Sequence, residues 1–99
     1  MFVVRDIFQL EFGKARDAID LLKEIKPHMD TMGFPAFRVL TDYAGPAYYT
    51  IILEAEYETL STYEASLARE IQDPTWRAWY EKFTAVAESG KREILRLAL

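Results

Sequence analysis

The sequence predicts an α+β fold, ferredoxin-like, with βαββαβ order and a four-stranded antiparallel sheet. Residues 1–99 form a single domain. Three observations predict it. The hydrophobic period switches from two to about 3.6 and back along the chain. A Gly-Pro turn separates two strand-like segments in the middle. Two helical stretches each return the chain to a further strand, which is the split βαβ pattern.

Phe2 to Phe12 is rich in aromatic and β-branched residues. Phe2, Val4, Phe8, Leu10 and Phe12 fall on one parity, interrupted by Asp6, and Val3, Arg5, Ile7, Gln9 and Glu11 on the other. That alternation reads as a strand, ended by Gly13. Lys14 to Met32 changes period. Ala15, Ala18, Ile19, Leu22, Ile25, Met29 and Met32 recur every three or four residues, which predicts an amphipathic helix. Pro27 has no N–H for the preceding turn, so a kink is expected there with the apolar register continuing. Gly33 is a stop signal.

Ala36 to Tyr43 reads as a second strand, Ala44 to Ala47 as a turn, and Tyr48 to Tyr57 as a third strand. The short loop makes the two an antiparallel hairpin. Ser61 with Glu64 matches a capping box and opens a helix through Leu67 and Ile71. Asp73-Pro74 opens a second helix, with Asp73 as N-cap and Pro74 in the first helical position. Trp76, Trp79, Tyr80 and Phe83 line one side of it, and Gly90 is its expected stop. Lys91 to Leu99 completes the sheet as a last strand.

Composition narrows the function. The net charge of −4 argues against non-specific nucleic-acid binding. No apolar run reaches the roughly 18 residues of a membrane span. The N-terminal residues lack a signal-peptide pattern, so a cytoplasmic location is expected. Without cysteine there is no thiolate ligand or nucleophile, and a single histidine makes no multi-histidine metal site. No glycine-rich phosphate loop, no Gly-x-Ser-x-Gly and no oxygen-rich calcium loop occurs, so neither a metal nor a cofactor is expected. The acidic series Glu54, Glu56, Glu58 reads as a solvated strand edge.

Helices cover one face of such a sheet, and the other face is apolar for a monomer. Ile52 lies opposite Ile51 and Leu53, Val3 and Ile7 opposite Val4 and Phe8, and Leu95 opposite Ile94. Exposed apolar patches of that size mark interfaces. A homodimer packed sheet against sheet is the expectation; a monomer with a half-polar second face is the alternative.

The element order resembles the dimeric α+β barrel superfamily over nearly the whole chain. Asp73-Pro74-Thr75-Trp76-Arg77-Ala78-Trp79-Tyr80 is similar to the acidic-Pro-x-Trp segment of its NIPSNAP-like members. Glu88 to Ile94 is similar to the turn into their last strand. The resemblance implies a pocket between the sheet and the helices of each subunit. It does not select an activity, because the superfamily includes cofactor-free monooxygenases, haem-degrading monooxygenases, muconolactone isomerases and peroxidases. The haem degraders use a histidine with an asparagine and a tryptophan, and this sequence has no asparagine.

Candidate pocket residues follow from residue chemistry. His28, beside Pro27, is the one side chain whose ordinary pKa lies near neutrality, at about 6.5, and is the candidate general base. Arg38, Tyr43, Tyr49, Trp76, Trp79 and Tyr80 are the candidate ligand contacts. Each has a packing role beside the functional one: aromatics fill small cores, and Arg5 and Arg38 need carboxylate partners when buried in strands. Asp6, Asp42 and Glu54 are available as those partners. The expected function is binding of a small hydrophobic or aromatic molecule between sheet and helices. The alternatives are a cofactor-independent monooxygenase or isomerase with His28 as base, and an interaction module without a ligand.

Overall fold

A computed structural model describes residues 1–99. The elements are β1 (Phe2–Leu10), α1 (Ala15–Thr31), β2 (Phe37–Thr41), β3 (Thr50–Tyr57), α2 (Leu60–Gln72), α3 (Pro74–Thr84) and β4 (Ala87–Arg96). The four strands form one antiparallel sheet in the order β2-β3-β1-β4. The first and third strands are central, as the split βαβ order requires. The fold class read from the sequence is the fold observed.

Strand parity places the core. Val4, Asp6, Phe8 and Leu10 lie opposite Ala55, Leu53, Ile51 and the chain around Tyr49, and this face meets the helices. Ala18, Leu22 and Ile25 of α1 and Trp79 and Phe83 of α3 pack on it with Leu10 and Ile51. Phe8 meets Phe83 edge-on, with ring centroids 5.0 Å apart. Such a pair adds about 0.5–1.5 kcal/mol beyond its buried area. Pro27 sits inside α1, which runs unbroken through it to Thr31. The apolar stripe through Ile25 and Met29 holds the helix on the sheet despite the missing N–H.

Several boundaries differ from the expectation. The cap of α2 is Thr59, not Ser61: its hydroxyl accepts from the Thr62 N–H at 3.1 Å. β3 begins at Thr50 rather than Tyr48, because Tyr49 adopts φ 58°, which breaks the extended chain. Asp42 Oδ1 then accepts from the Thr50 N–H at 3.0 Å and closes the loop. Asp73 does cap α3, accepting from the Thr75 N–H at 3.1 Å, and Pro74 follows it.

Gly90 does not stop a helix. α3 ends at Thr84, and Gly90 lies inside β4 opposite Phe8. The strand starts early because its register with β1 runs back to Ala87, across an irregularity at Gln9/Leu10. Glycine is needed there for space: a Cβ on residue 90 would sit 2.9 Å from Phe8 Cδ1.

No helix crosses the far side of the sheet. That face carries Val3, Arg5, Ile7, Ile52, Glu54, Arg38, Leu40 and Leu95, by the cross-strand register. Glu54 is only 4% exposed and pairs with both Arg5, at 2.6 Å, and Arg38. The reading of Glu54 as part of a solvated edge is therefore corrected, and the Arg–carboxylate pairing is what the strands contain. No helix is long and apolar enough to cross a membrane.

Candidate functional site

Between the sheet and the three helices lies a cavity of about 360 Å³. Eighteen residues line it and fourteen are hydrophobic. α1 contributes Leu22, Ile25 and Met29. α2 contributes Leu67 and Ile71, and α3 contributes Trp76, Trp79, Tyr80 and Phe83. Phe34 and Pro35 line it from the chain after α1. The floor is Phe8, Phe37, Leu53 and Tyr57 from the sheet. This volume is within the range of small-molecule pockets. Ile71, at 65% exposed, marks where it opens to solvent.

Local structure sets the aromatic wall. Trp76 and Tyr80 are one helical turn apart on α3 and stack with centroids 4.7 Å apart and planes 13° from parallel. Trp79 stacks on Phe83 at 5.1 Å, and its indole N–H donates to the Leu21 carbonyl of α1 at 2.6 Å. That bond fixes the orientation of the Trp79 ring. The Asp73-Pro74 start sets the helix phase that turns all four rings inward.

The polar groups of the cavity gather at one end. They are Asp6 of β1, Arg92 of β4 and Glu70 of α2, with the Tyr57 hydroxyl of β3 nearby. Asp6 and Arg92 are directly opposed across the sheet, and the Arg92 Nε–H donates to Asp6 Oδ1 at 2.6 Å. Arg92 also lies over the Tyr63 ring, 5.5 Å from its centroid. Glu70 has no partner of this kind. Burial first, and then the Asp6 carboxylate, raise its pKa from 4.5 to about 7, against the opposing pull of Arg92. Its place in the last turn of α2 works in the same direction, since the negative end of the helix dipole disfavours a carboxylate. Burial and the Glu70 charge raise Tyr57 as well. The buried Tyr63 hydroxyl meets no hydrogen-bond partner in the protein.

The residues expected from the sequence divide. Trp76, Trp79 and Tyr80 line the cavity together. His28 does not: its Nε2 lies 2.5 Å from Asp73 Oδ2, clamping α1 to the α2–α3 junction. The hydrogen bond from His28 is the main reason the Asp73 carboxyl is held below its ordinary range. His28 borders only a shallow surface hollow with Pro74 and Lys82. Arg38 is on the other face of the sheet, because its neighbour Phe37 takes the inward parity. Tyr43 is fully exposed beyond β2, and Tyr49 packs against Phe12 with centroids 5.4 Å apart, away from the cavity. Sequence reasoning missed Glu70 and Arg92 as lining residues. The available signal was Asp6, the one charge on an otherwise apolar strand parity. No group of three or more His, Asp or Glu side chains converges as a metal site would require.

No protein-family model matches the chain, and neither does any curated protein. Solved structures do. An uncharacterized NIPSNAP domain protein from Burkholderia xenovorans is 18% identical with a TM-score of 0.86, over 99% of this chain and 95% of that one. A NIPSNAP family protein with unknown function from Agrobacterium tumefaciens is 19% identical with a TM-score of 0.81, over 96% of this chain and 86% of that one. An antibiotic biosynthesis monooxygenase is 11% identical with a TM-score of 0.75, over 100% of both chains. At these identities the likeness is one of fold: the chain has the ferredoxin-like α+β architecture of NIPSNAP family proteins, and fits it more closely than it fits that monooxygenase.

Proposed function

We propose that this protein binds a small, neutral, largely aromatic molecule in the cavity between sheet and helices, as a cytoplasmic homodimer. The observation that carries the reading is the segregation of the cavity wall. Fourteen hydrophobic residues form its body, and Asp6, Glu70 and Arg92 stand together at one end. Such a pocket takes an apolar body and orients it by one polar group. Neutrality follows from charge. Two carboxyl groups, Asp6 and Glu70, face the one guanidinium of Arg92, so an added anion meets an excess of negative charge. A ligand carboxylate near Glu70 would add like-charge repulsion. A phenol or a ketone meets no such penalty.

The dimer is supported by surface area. The chain exposes 6634 Å², whereas a folded monomer of this mass exposes about 5,800 Å². The molecule is thin, 19 Å along its shortest axis, with one helix layer on one sheet. Leu40 and Leu95 on the open face are each more than 40% exposed beside Val3, Ile7 and Ile52. Stacking two such faces removes that area from water.

Calorimetric titration with β-naphthol and with β-naphthoate tests the binding reading. Binding of the phenol and not the carboxylate is expected. Leu67→Trp, which fills the cavity, should abolish binding and leave the protein folded. Equal binding of both compounds, or binding that survives Leu67→Trp, would refute it.

A further inference from the structure

Glu70 is not needed by the fold in the way its neighbours are. Asp6 neutralises Arg92, and Trp79 locks α3 to α1, but no hydrogen bond satisfies the Glu70 carboxyl. It faces an apolar cavity from α2, on the side where Arg92 of β4 enters. Arg92 uses only its Nε–H on Asp6, so its two terminal amino groups remain free to donate. A carboxyl without a partner and a guanidinium with spare donors therefore share one end of a pocket. Arg92 is 44% exposed and Glu70 partly so, so water meets both groups in the free protein and a ligand that displaces it finds them together.

Resting on the reading of the cavity as a ligand site, we infer that Glu70 transfers protons to and from carbon, with Arg92 receiving the oxyanion, on neutral enolisable carbonyl compounds. The carboxylate takes the proton from the carbon beside the carbonyl. The C–H electron pair becomes the new C=C bond, and the carbonyl π pair moves onto oxygen. The resulting enolate oxygen accepts hydrogen bonds from the free Arg92 amino groups. Return of the proton to the same carbon gives exchange. In an unsaturated ketone, its return to the far carbon moves the double bond. The step balances with the proton and electron pairs that substrate and carboxyl already hold.

The electrostatics suit this role. A base that titrates near the working pH combines a useful basic fraction with real proton affinity. The groups facing Glu70 are Asp6 from β1, Tyr57 from β3 and Arg92 from β4, with Tyr63 on its own helix beside Arg92. Asp6 raises its proton affinity and Arg92 lowers it, and burial decides the balance. The basic form, and with it the exchange rate, should rise with pH through about 7.

The test follows two readouts on the intact protein with β-tetralone: binding by tryptophan fluorescence, and loss of the benzylic proton signal by NMR in deuterated buffer. The wild-type protein should accelerate exchange by about 100-fold or more over buffer, the scale of general acid–base catalysis. Glu70→Gln should bind β-tetralone as before and return exchange to the buffer rate. Leu67→Trp should lose both. Binding with exchange no faster than buffer, or undiminished exchange in Glu70→Gln, overturns the proton-transfer proposal and leaves the binding reading intact. No binding of β-tetralone to the wild-type protein overturns both.

Discussion

Glu70→Gln should stabilise this protein, and only at higher pH. In the folded chain the carboxyl titrates at about 7 rather than 4.5, because burial and Asp6 disfavour its charge. Between those values the folded state holds a proton that the unfolded state has released. Stability therefore falls as pH rises through that window, and the full penalty is present above about 7. Each tenfold change in proton affinity is about 1.4 kcal/mol, which sets a ceiling of about 3 kcal/mol. Glu70 is half-buried at a cavity open to water, so screening reduces the effect to about 1–2 kcal/mol. Glutamine keeps the shape and removes the charge. At pH about 8 its thermal midpoint should exceed wild type by about 5–10 °C, given the small unfolding entropy of a domain this size. At pH about 5 the two should agree closely. Differential scanning calorimetry at both values, at equal protein concentration, makes the comparison. A glutamine variant less stable than wild type at the higher pH, or one with the same gain at both, would refute the placement of Glu70 in an apolar site.

Three further outcomes are expected. Ile52→Glu, on the open face of the sheet, should convert a dimer of twice 11.5 kDa into a monomer in sedimentation velocity; a wild-type monomer at micromolar concentration would end the assembly reading. His28→Ala should lower the melting temperature, because it frees α1 from Asp73, and leave β-naphthol affinity within about twofold; a large loss of affinity would return His28 to the site. The Asp73 carboxyl is held low, so the stability it gives is present above its unfolded pKa and fades as pH falls through the folded one, a dependence that His28→Ala should weaken. Gly90→Ala should cost about 1–3 kcal/mol by pressing on Phe8, and should weaken ligand binding; unchanged stability would show that the Phe8 ring yields freely.

The architecture was legible because it rests on period and punctuation. Parity in β1 and β3, the three-four spacing of α1 and the Asp73-Pro74 start are local signals, and the structure realises all of them. The boundaries that moved depend on partners. Thr59 displaces Ser61 as cap because its hydroxyl is the one that reaches Thr62, and Gly90 is a strand residue because Phe8 lies over it. The aromatic wall was legible for the same reason as the helix that bears it: Trp76, Trp79 and Tyr80 are spaced for one side. The polar end was not. Asp6, Glu70 and Arg92 come from three elements and are separated by most of the chain: the register of β1 with β4 pairs Asp6 with Arg92, and the packing of α2 over the sheet brings Glu70 to the same cavity. His28 attracted attention for its chemistry, but its helical phase points it at the α2–α3 junction.

The two faces of the sheet show why the unsigned charges matter more than the obvious ones. Both faces carry arginine and carboxylate within the strands, and a buried ion pair gives little net stability over an apolar replacement. On the open face the network is closed. Glu54 is taken by Arg5 through one oxygen and by Arg38 through the other, and such a saturated arrangement has nothing left to offer a ligand. On the helix face the network is open. Arg92 is held by a single bond to Asp6, Glu70 is held by none, and the Tyr63 hydroxyl close by is unsatisfied. The first network is explained by the strands that contain it. The second lies where water reaches the cavity, with Arg92 44% exposed, so its spare donors are free to exchange water for the acceptor oxygen of a carbonyl compound of the proposed kind.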